Sequence, residues 1–363
     1  MKNQSSNKKF NHPVYCNHRF NFLVLIVCIL LFPKISFSED IPEKDLDTVS
    51  IYIENDIFAG KGSDSNYTSG LKVTWSSAVR DDYPDIWPNR WFYPLIRLLP
   101  FEQAPDRRRN ISISLGQDIY TPVDIEEEEL IEDDRPYAGI TYLSFGFHNR
   151  LKMDMDTMEI VLGIVGPDSY AEECQKEIHS IFDDDEPQGW DNQLDNEPVL
   201  NLVYEHKKKI TQSGMSGGFG HDLILNTGGA LGNAMIFYNL GLNLRLGWNL
   251  PDDFGNYPIR PASAINGAFE TNDPRYAAEN KIGVYLFACT EGRAVMHNIF
   301  LDGNTFKDSH SVNAEPVVAD CLGGLGFITG PYQIYFAYVY RTKEFEDQEE
   351  AQKFGSFNFS FSF

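Results

Sequence analysis

The closing stretch FGSFNFSFSF puts Phe357, Phe359, Phe361 and Phe363 on one side of an extended chain and Ser356, Asn358, Ser360 and Ser362 on the other. A strand with a ring at every position of one face and a small polar group at every position of the other fits between hydrocarbon and water. That is the pattern a transmembrane β-barrel imposes on its strands. A soluble sandwich strand alternates as well, but four phenylalanines running up to the terminal carboxylate have the look of a barrel's closing strand.

The same period of two recurs upstream. Val49, Ile51 and Ile53 share a face, as do Ile111, Ile113 and Leu115. From Tyr67 to Val79, Leu71, Val73 and Trp75 alternate with Gly70, Lys72, Thr74 and Ser76, which places Thr68 on the polar face. Phe237 to Trp248 and Tyr332 to Arg341 are aromatic-rich in the manner of membrane-interface girdles. The pattern reads as about twelve strands, at approximately 48–57, 67–79, 110–119, 137–149, 156–165, 198–209, 214–226, 234–247, 280–301, 314–328, 331–342 and 355–363. The expected fold is all-β: a twelve-stranded antiparallel transmembrane β-barrel with a short helix in an extracellular loop. With both ends in the periplasm, odd-to-even connections face outward and even-to-odd connections inward. Two inward connections, 80–109 and 248–279, are much longer than the turns expected there.

The start of the chain reads as a secretory leader. Lys2, Lys8, Lys9 and Arg19 precede an apolar block from Phe20 to Phe32, followed by small residues at Ser36 and Ser38. The block is shorter than the roughly 20 residues of a spanning helix, so 1–38 is expected to be a cleaved signal peptide and 39–363 the barrel. Later segments lack an apolar run long enough to cross as a helix. The formal net charge is −23, and removing the leader takes away basic residues only. Such a charge excludes nucleic acid as a partner and suits a surface where divalent cations bridge carboxylates to phosphorylated lipids. Cys174, Cys289 and Cys321, the cysteines beyond the leader, fall at spacings that form no disulfide framework.

Three outward connections gather chemistry at one rim: Glu54-Asn55-Asp56 to Tyr67-Thr68; Asp118 to Gly139, with Arg135; and Gly166 to Leu194, with His179. Residues 170–182 read as a short helix with Glu172, Gln175 and His179 along one face, and with Ile178 and Phe182 free to pack on the barrel. His179 reads either as a general base at a lumen mouth or as an exposed loop histidine. Asp56, Asp185 and Glu186 with the Asn55 amide are hard oxygen donors of the kind calcium takes, or solvated loop charges. The run Glu126 to Glu129 reads as a solvated charge run. Arg135 either clamps a phosphate or pairs with Asp133 or Asp134. The chain holds no Gly-x-Ser-x-Gly elbow, no close histidine pair and no glycine-rich phosphate loop.

Glu54-Asn55-Asp56, Tyr67-Thr68-x-Gly70, Gln117-Asp118-Ile119-Tyr120-Thr121-Pro122, Arg135-Pro136-Tyr137-Ala138-Gly139, Gly166-Pro167 with His179, Trp190-x-x-Gln193-Leu194 and Leu301-Asp302-Gly303-Asn304 together resemble the outer-membrane lipid A 3′-O-deacylase family. The resemblance covers the chain beyond the leader. It implies a barrel enzyme, working as a monomer, that hydrolyses the 3′-linked acyloxyacyl ester of lipid A in the outer leaflet with calcium as cofactor. It further implies His179 as the base activating water, with Asn55, Asp56 and Thr68 in the same site. Asp185 is the acidic site residue by spacing, with Glu186 as neighbour; Asp56 and Asp185 would hold the metal, and Arg135 and Gln193 would bind substrate. One departure is the second outward loop, acidic from Asp124 to Asp134 where a basic substrate contact is expected. The rival readings are an outer-membrane phospholipase, a passive cation-selective pore, and an adhesin or structural barrel that binds calcium for stability alone.

Overall fold

The computed structural model describes residues 46–60, 66–83, 107–182, 185–214, 217–260, 263, 273–275 and 282–363. The expected signal peptide, 1–38, and parts of both long inward connections lie outside the described residues. Twelve antiparallel strands close into a barrel in which each strand pairs with its sequence neighbours and the first pairs with the last. They are β1 (Thr48–Asn55), β2 (Asn66–Ser76), β3 (Arg108–Thr121), β4 (Ala138–Leu151), β5 (Asp154–Val165) and β6 (Glu197–Ser213). The other half is β7 (Phe219–Gly232), β8 (Met235–Trp248), β9 (Ile282–Asn298), β10 (Val317–Thr329), β11 (Tyr332–Arg341) and β12 (Gln352–Ser362). Among the described residues two α-helices lie outside the ladder, α1 (Ala171–Phe182) and α2 (Ile299–Asp302). Among the described residues no helix is long and apolar enough to cross a membrane.

The closing seam shows what the alternation is for. Val49, Ile51 and Ile53 stand opposite Phe361, Phe359 and Phe357 on the outside, and opposite Trp75, Val73 and Leu71 on the other neighbour. On the inside, the Ser50 and Ser360 hydroxyls bond at 2.8 Å and Thr48 and Ser362 at 3.0 Å. The usual burial rule is inverted: Leu71 is 46% exposed while its neighbour Lys72 is 1% exposed. Only a wall with lipid outside makes that arrangement favourable.

Some strand limits differ from the sequence expectation. β7 continues to Gly232, past the expected limit at 226, because β6 and β8 supply ladder partners there. β9 stops at Asn298, whose side chain accepts from the Phe300 amide and starts α2.

The second long inward connection turns back into the barrel. Arg245 of β8 meets Asp222 at 2.5 Å and also Asp253, while Arg150 and Lys209 hold Asp252 at 2.8 and 2.6 Å. Further along, Arg260 pairs with Glu205 at 2.6 Å and with Glu291 at 3.3 Å, and the Ile259 amide donates to Glu54 at 2.7 Å. At the other end α2 brings Phe300 onto the Tyr120 ring, centroids 4.2 Å apart. Side chains therefore enter the lumen from both mouths.

Candidate functional site on the outer wall

Thr68 is not on the lumen face that simple alternation assigns it. The ladder between β2 and β3 slips between Tyr67 and Ser69, and the bulge turns Tyr67 inward. The Tyr67 hydroxyl donates to Glu54 at 2.9 Å inside the barrel, while Thr68 shares a 2.7 Å hydroxyl pair with Thr121 on the outer face. The register then sets Asn55, Ser69, Ile119 and Gly139 side by side across β1 to β4, all facing outward.

Two loop elements fold outward onto this wall. A 3-10 turn at Asp56–Ala59 leaves β1 and leans on β12, so close that a Cβ at Gly355 would lie 2.4 Å from the Cβ of Phe58. On the other flank α1 starts against β4, where a Cβ at Gly139 would lie 2.0 Å from the Ala171 methyl, and packs on β3 as well. Glycine is needed at both places because backbone and loop approach too closely for any side chain. Gln117 and Thr141, both outward-facing, hold α1's approach by donating to the Ser169 carbonyl at 2.8 and 2.7 Å. Between turn and helix the outward positions of the wall are Asn55, Ser69, Ile119 and Gly139, with the Thr68 and Thr121 pair beside them.

The helix packs with its polar side inward. Gln175 and His179 are buried, whereas Ile178 is exposed and Ile181 is 71% exposed. The sequence expectation that Ile178 packs on the barrel is overturned, because the helix lies on the outside of the wall, where lipid rather than water covers its far side. For the same reason His179 is neither an exposed loop residue nor placed above the lumen. It is 4% exposed, and its Nδ1 donates to the Asp185 carbonyl. In a neutral ring that bond leaves Nε2 with the lone pair. Trp190 fixes the turn below by donating from Nε1 to Gln175 Oε1 at 2.9 Å, with its ring 4.9 Å from that of Tyr137.

The remaining predicted residues divide. Asn55 Oδ1 accepts from the Ile57 amide at 2.8 Å, which orients the carboxamide and leaves its Nδ2 as a donor. Asp56 is buried at the start of the turn. Asp185 and Glu186 are exposed. Gln193 donates to Glu172 at 3.4 Å and so ties its loop to α1. Arg135 lies on the other side of the wall: its guanidinium stands over the lumen-facing Tyr120 ring at 4.9 Å and pairs with Glu344 at 3.3 Å. The pairing with Asp133 or Asp134 does not form, since the Asp134 carboxylate is spent on the backbone amides of Val123 and Arg135 at 2.7 Å each. Sequence reasoning missed Thr121 as the partner of Thr68; its outward position follows from Ile119, but only the bulge brings Thr68 to the same face.

Among the described residues no three of Asp, Glu, His and Cys gather as a metal cage. Asp56, with Asp185 or Glu186, is an oxygen donor of the kind calcium takes, but these are fewer than the 6–8 the ion takes, so water and substrate would complete its shell. Burial, with Glu177 and Glu173 nearby, pushes the Cys174 thiol on α1 up to about 11, which removes it as a nucleophile.

Lipid-facing strands closed into one ring define an outer-membrane β-barrel. The chain matches the model of the family described as outer membrane protein LpxR over residues 23–363, and it belongs to that family. This agrees with the motif resemblance, and membership implies a lipid A deacylase. No curated protein matches the chain in sequence. Among solved structures it is similar to LpxR from Salmonella typhimurium, with a TM-score of 0.67 and 18% identity over 87% of this chain and 100% of that one. The β domain of the Bordetella autotransporter BrkA aligns with a TM-score of 0.41 and 7% identity, covering 88% of this chain and 100% of that one.

Proposed function

We propose that this chain is a calcium-dependent lipid A 3′-O-deacylase that cleaves the 3′-linked acyloxyacyl ester in the outer leaflet by attack of a His179-activated water. The observation that carries the reading is the outward placement of Asn55, Thr68 and Thr121 together with the docking of α1, which carries His179, on β3 and β4 of the same wall. A site on that face lies beside the leaflet that holds the ester. The Asp185 carbonyl holds the imidazole in the tautomer that a base requires, and Nε2 takes the proton from water as water attacks. The Thr68 and Thr121 hydroxyls, 2.7 Å apart, are the hydroxyl groups of the proposed site and would face the developing oxyanion. Asn55 Nδ2 is a second directed donor. Calcium, held through Asp56 with Asp185 as the second candidate carboxylate, would supply Lewis-acid polarisation of the ester carbonyl.

The test is mass spectrometry of lipid A from cells with and without the expressed protein. Loss of the mass of one acyloxyacyl group is expected. Release of fatty acid from phospholipid with lipid A left intact would instead establish the phospholipase reading. Purified barrel treated with a chelator should lose activity and regain it on adding calcium back; activity that survives chelation removes the ion from the reaction.

A further inference from the structure

We infer that Lys343 and Lys353 form a subsite for a phosphate on the headgroup of the outer-leaflet glycolipid, on the far side of the 3-10 turn from His179. The inference rests on the functional reading above and answers its main difficulty, the acidic second outward loop.

A cavity of about 640 Å³ lies on the outer face of β10, β11 and β12 at the outer rim. Val317 and Tyr340, both exposed, give it an apolar floor continuous with the lipid-facing wall. Lys343 and Lys353 stand at its edge, Lys353 directly opposite Tyr340 in the ladder. The cavity thus meets the leaflet at headgroup level, with acyl chains below and charge above.

The other cations of this rim are engaged. Among the described residues, Lys176 pairs with Glu172 at 2.8 Å, Lys307 with Asp195 at 3.7 Å, Arg135 with Glu344 at 3.3 Å, and Arg293 and Arg341 with Asp320 at 3.0 and 2.8 Å. Neither Lys343 nor Lys353 has a carboxylate partner among the described residues. Two exposed ammonium groups left unpaired in a chain of net charge −23 complement a phosphate. Glu315, Glu349 and Glu350 share the cavity and are suited to the hydroxyls of a sugar, which makes the complement one to a phosphorylated sugar rather than to a bare anion.

Position links the subsite to the proposed site. Gly355 stands opposite Asn55, and Lys353 is two residues further along the same outward face. Strand geometry puts the Cα of Lys353 roughly 9 Å from that of Asn55, with the turn as a ridge between them. A single headgroup can straddle that ridge, with its ester at the proposed site and a phosphate on the lysines.

The test uses the intact barrel in detergent with bisphosphorylated lipid A and with the same lipid chemically dephosphorylated, following both binding and acyl release. The double variant Lys343→Gln/Lys353→Gln should raise Kd and KM for the phosphorylated lipid about tenfold, leave kcat within about twofold, and leave the dephosphorylated lipid unaffected. The double arginine variant should restore the wild-type values. Unchanged affinity for the phosphorylated lipid, or an equal loss on both lipids, overturns the subsite. If the wild type binds phosphorylated lipid in a lysine-dependent way but releases no acyl chain, the subsite stands and the deacylase reading falls. Hydrolysis with no lysine dependence has the opposite meaning. Heat-modifiable gel mobility checks that each variant is folded.

Discussion

The lumen around Arg245 and the outer wall around Thr68 are both made of buried polar side chains, yet they dispose of their hydrogen-bonding capacity in opposite ways. Arg245 spends Nε and Nη2 on Asp222, Nη1 on Asp253, and further bonds on the Pro251 and Asp253 carbonyls. The cluster locks the inward connection to the strands. On the wall the polar groups are tied one by one to their own loops and neighbouring strands rather than to each other across the barrel. Asn55 is held by its oxygen, His179 by Nδ1, and the Thr68 and Thr121 hydroxyls by each other. A charged network across the lumen fixes a whole connection, whereas local ties orient single groups.

The largest expected effect tests the second half of that contrast. His179→Ala should lower deacylation by about 10² to 10⁴ while the barrel keeps its heat-modifiable mobility, because α1 lies outside the ladder that holds the fold in lipid. Full activity in this variant would falsify the base assignment. In the lumen the effect should be thermodynamic instead. Arg245→Met leaves Asp222 buried without its cation, and Asp253 with Arg275 alone, and should cost about 3 to 5 kcal/mol in denaturant unfolding, with activity per folded molecule unchanged. If the variant lost turnover rather than stability, lumen and wall would not be separable. A smaller change is expected from Thr68→Val, which keeps shape and removes one hydroxyl: about tenfold in kcat, with stability altered by no more than about 1 kcal/mol. Measuring kcat and KM separately decides it, since a ground-state contact would move KM. The smallest effect should come from Ile181→Gln, a few-fold loss on lipid A in vesicles and none in detergent micelles; equal losses in both would mean that α1 does not rest against lipid.

The barrel was legible in the sequence because lipid enforces a period of two on every strand, and Phe357, Phe359 and Phe361 repeat that demand as plainly as any residues can. The candidate site was legible only as a set of residues. Which side of the wall Tyr67 and Thr68 occupy depends on one extra residue in the ladder, Thr68, and a slip of one reverses every side chain beyond it. Arg135 illustrates a different limit, since its partner Glu344 lies on the connection before the last strand and no local pattern points to it. The segment from Asp252 to Arg260 has no period at all, so its length was visible while its return into the lumen was not.

The inverted helix α1 bears on when the enzyme becomes competent. A helix with Gln175 and His179 inward and Ile178 and Ile181 outward is poorly matched to an aqueous compartment, where docking it would keep isoleucines in water. Once the barrel sits in a bilayer, the same docking places those side chains against acyl chains and is favoured. Hydrogen exchange of residues 171–182 before and after insertion into vesicles should register the difference as protection gained only in lipid. If protection is gained only in lipid, the bilayer completes the seat of α1, and on the proposed reading the histidine comes into place only in its own membrane.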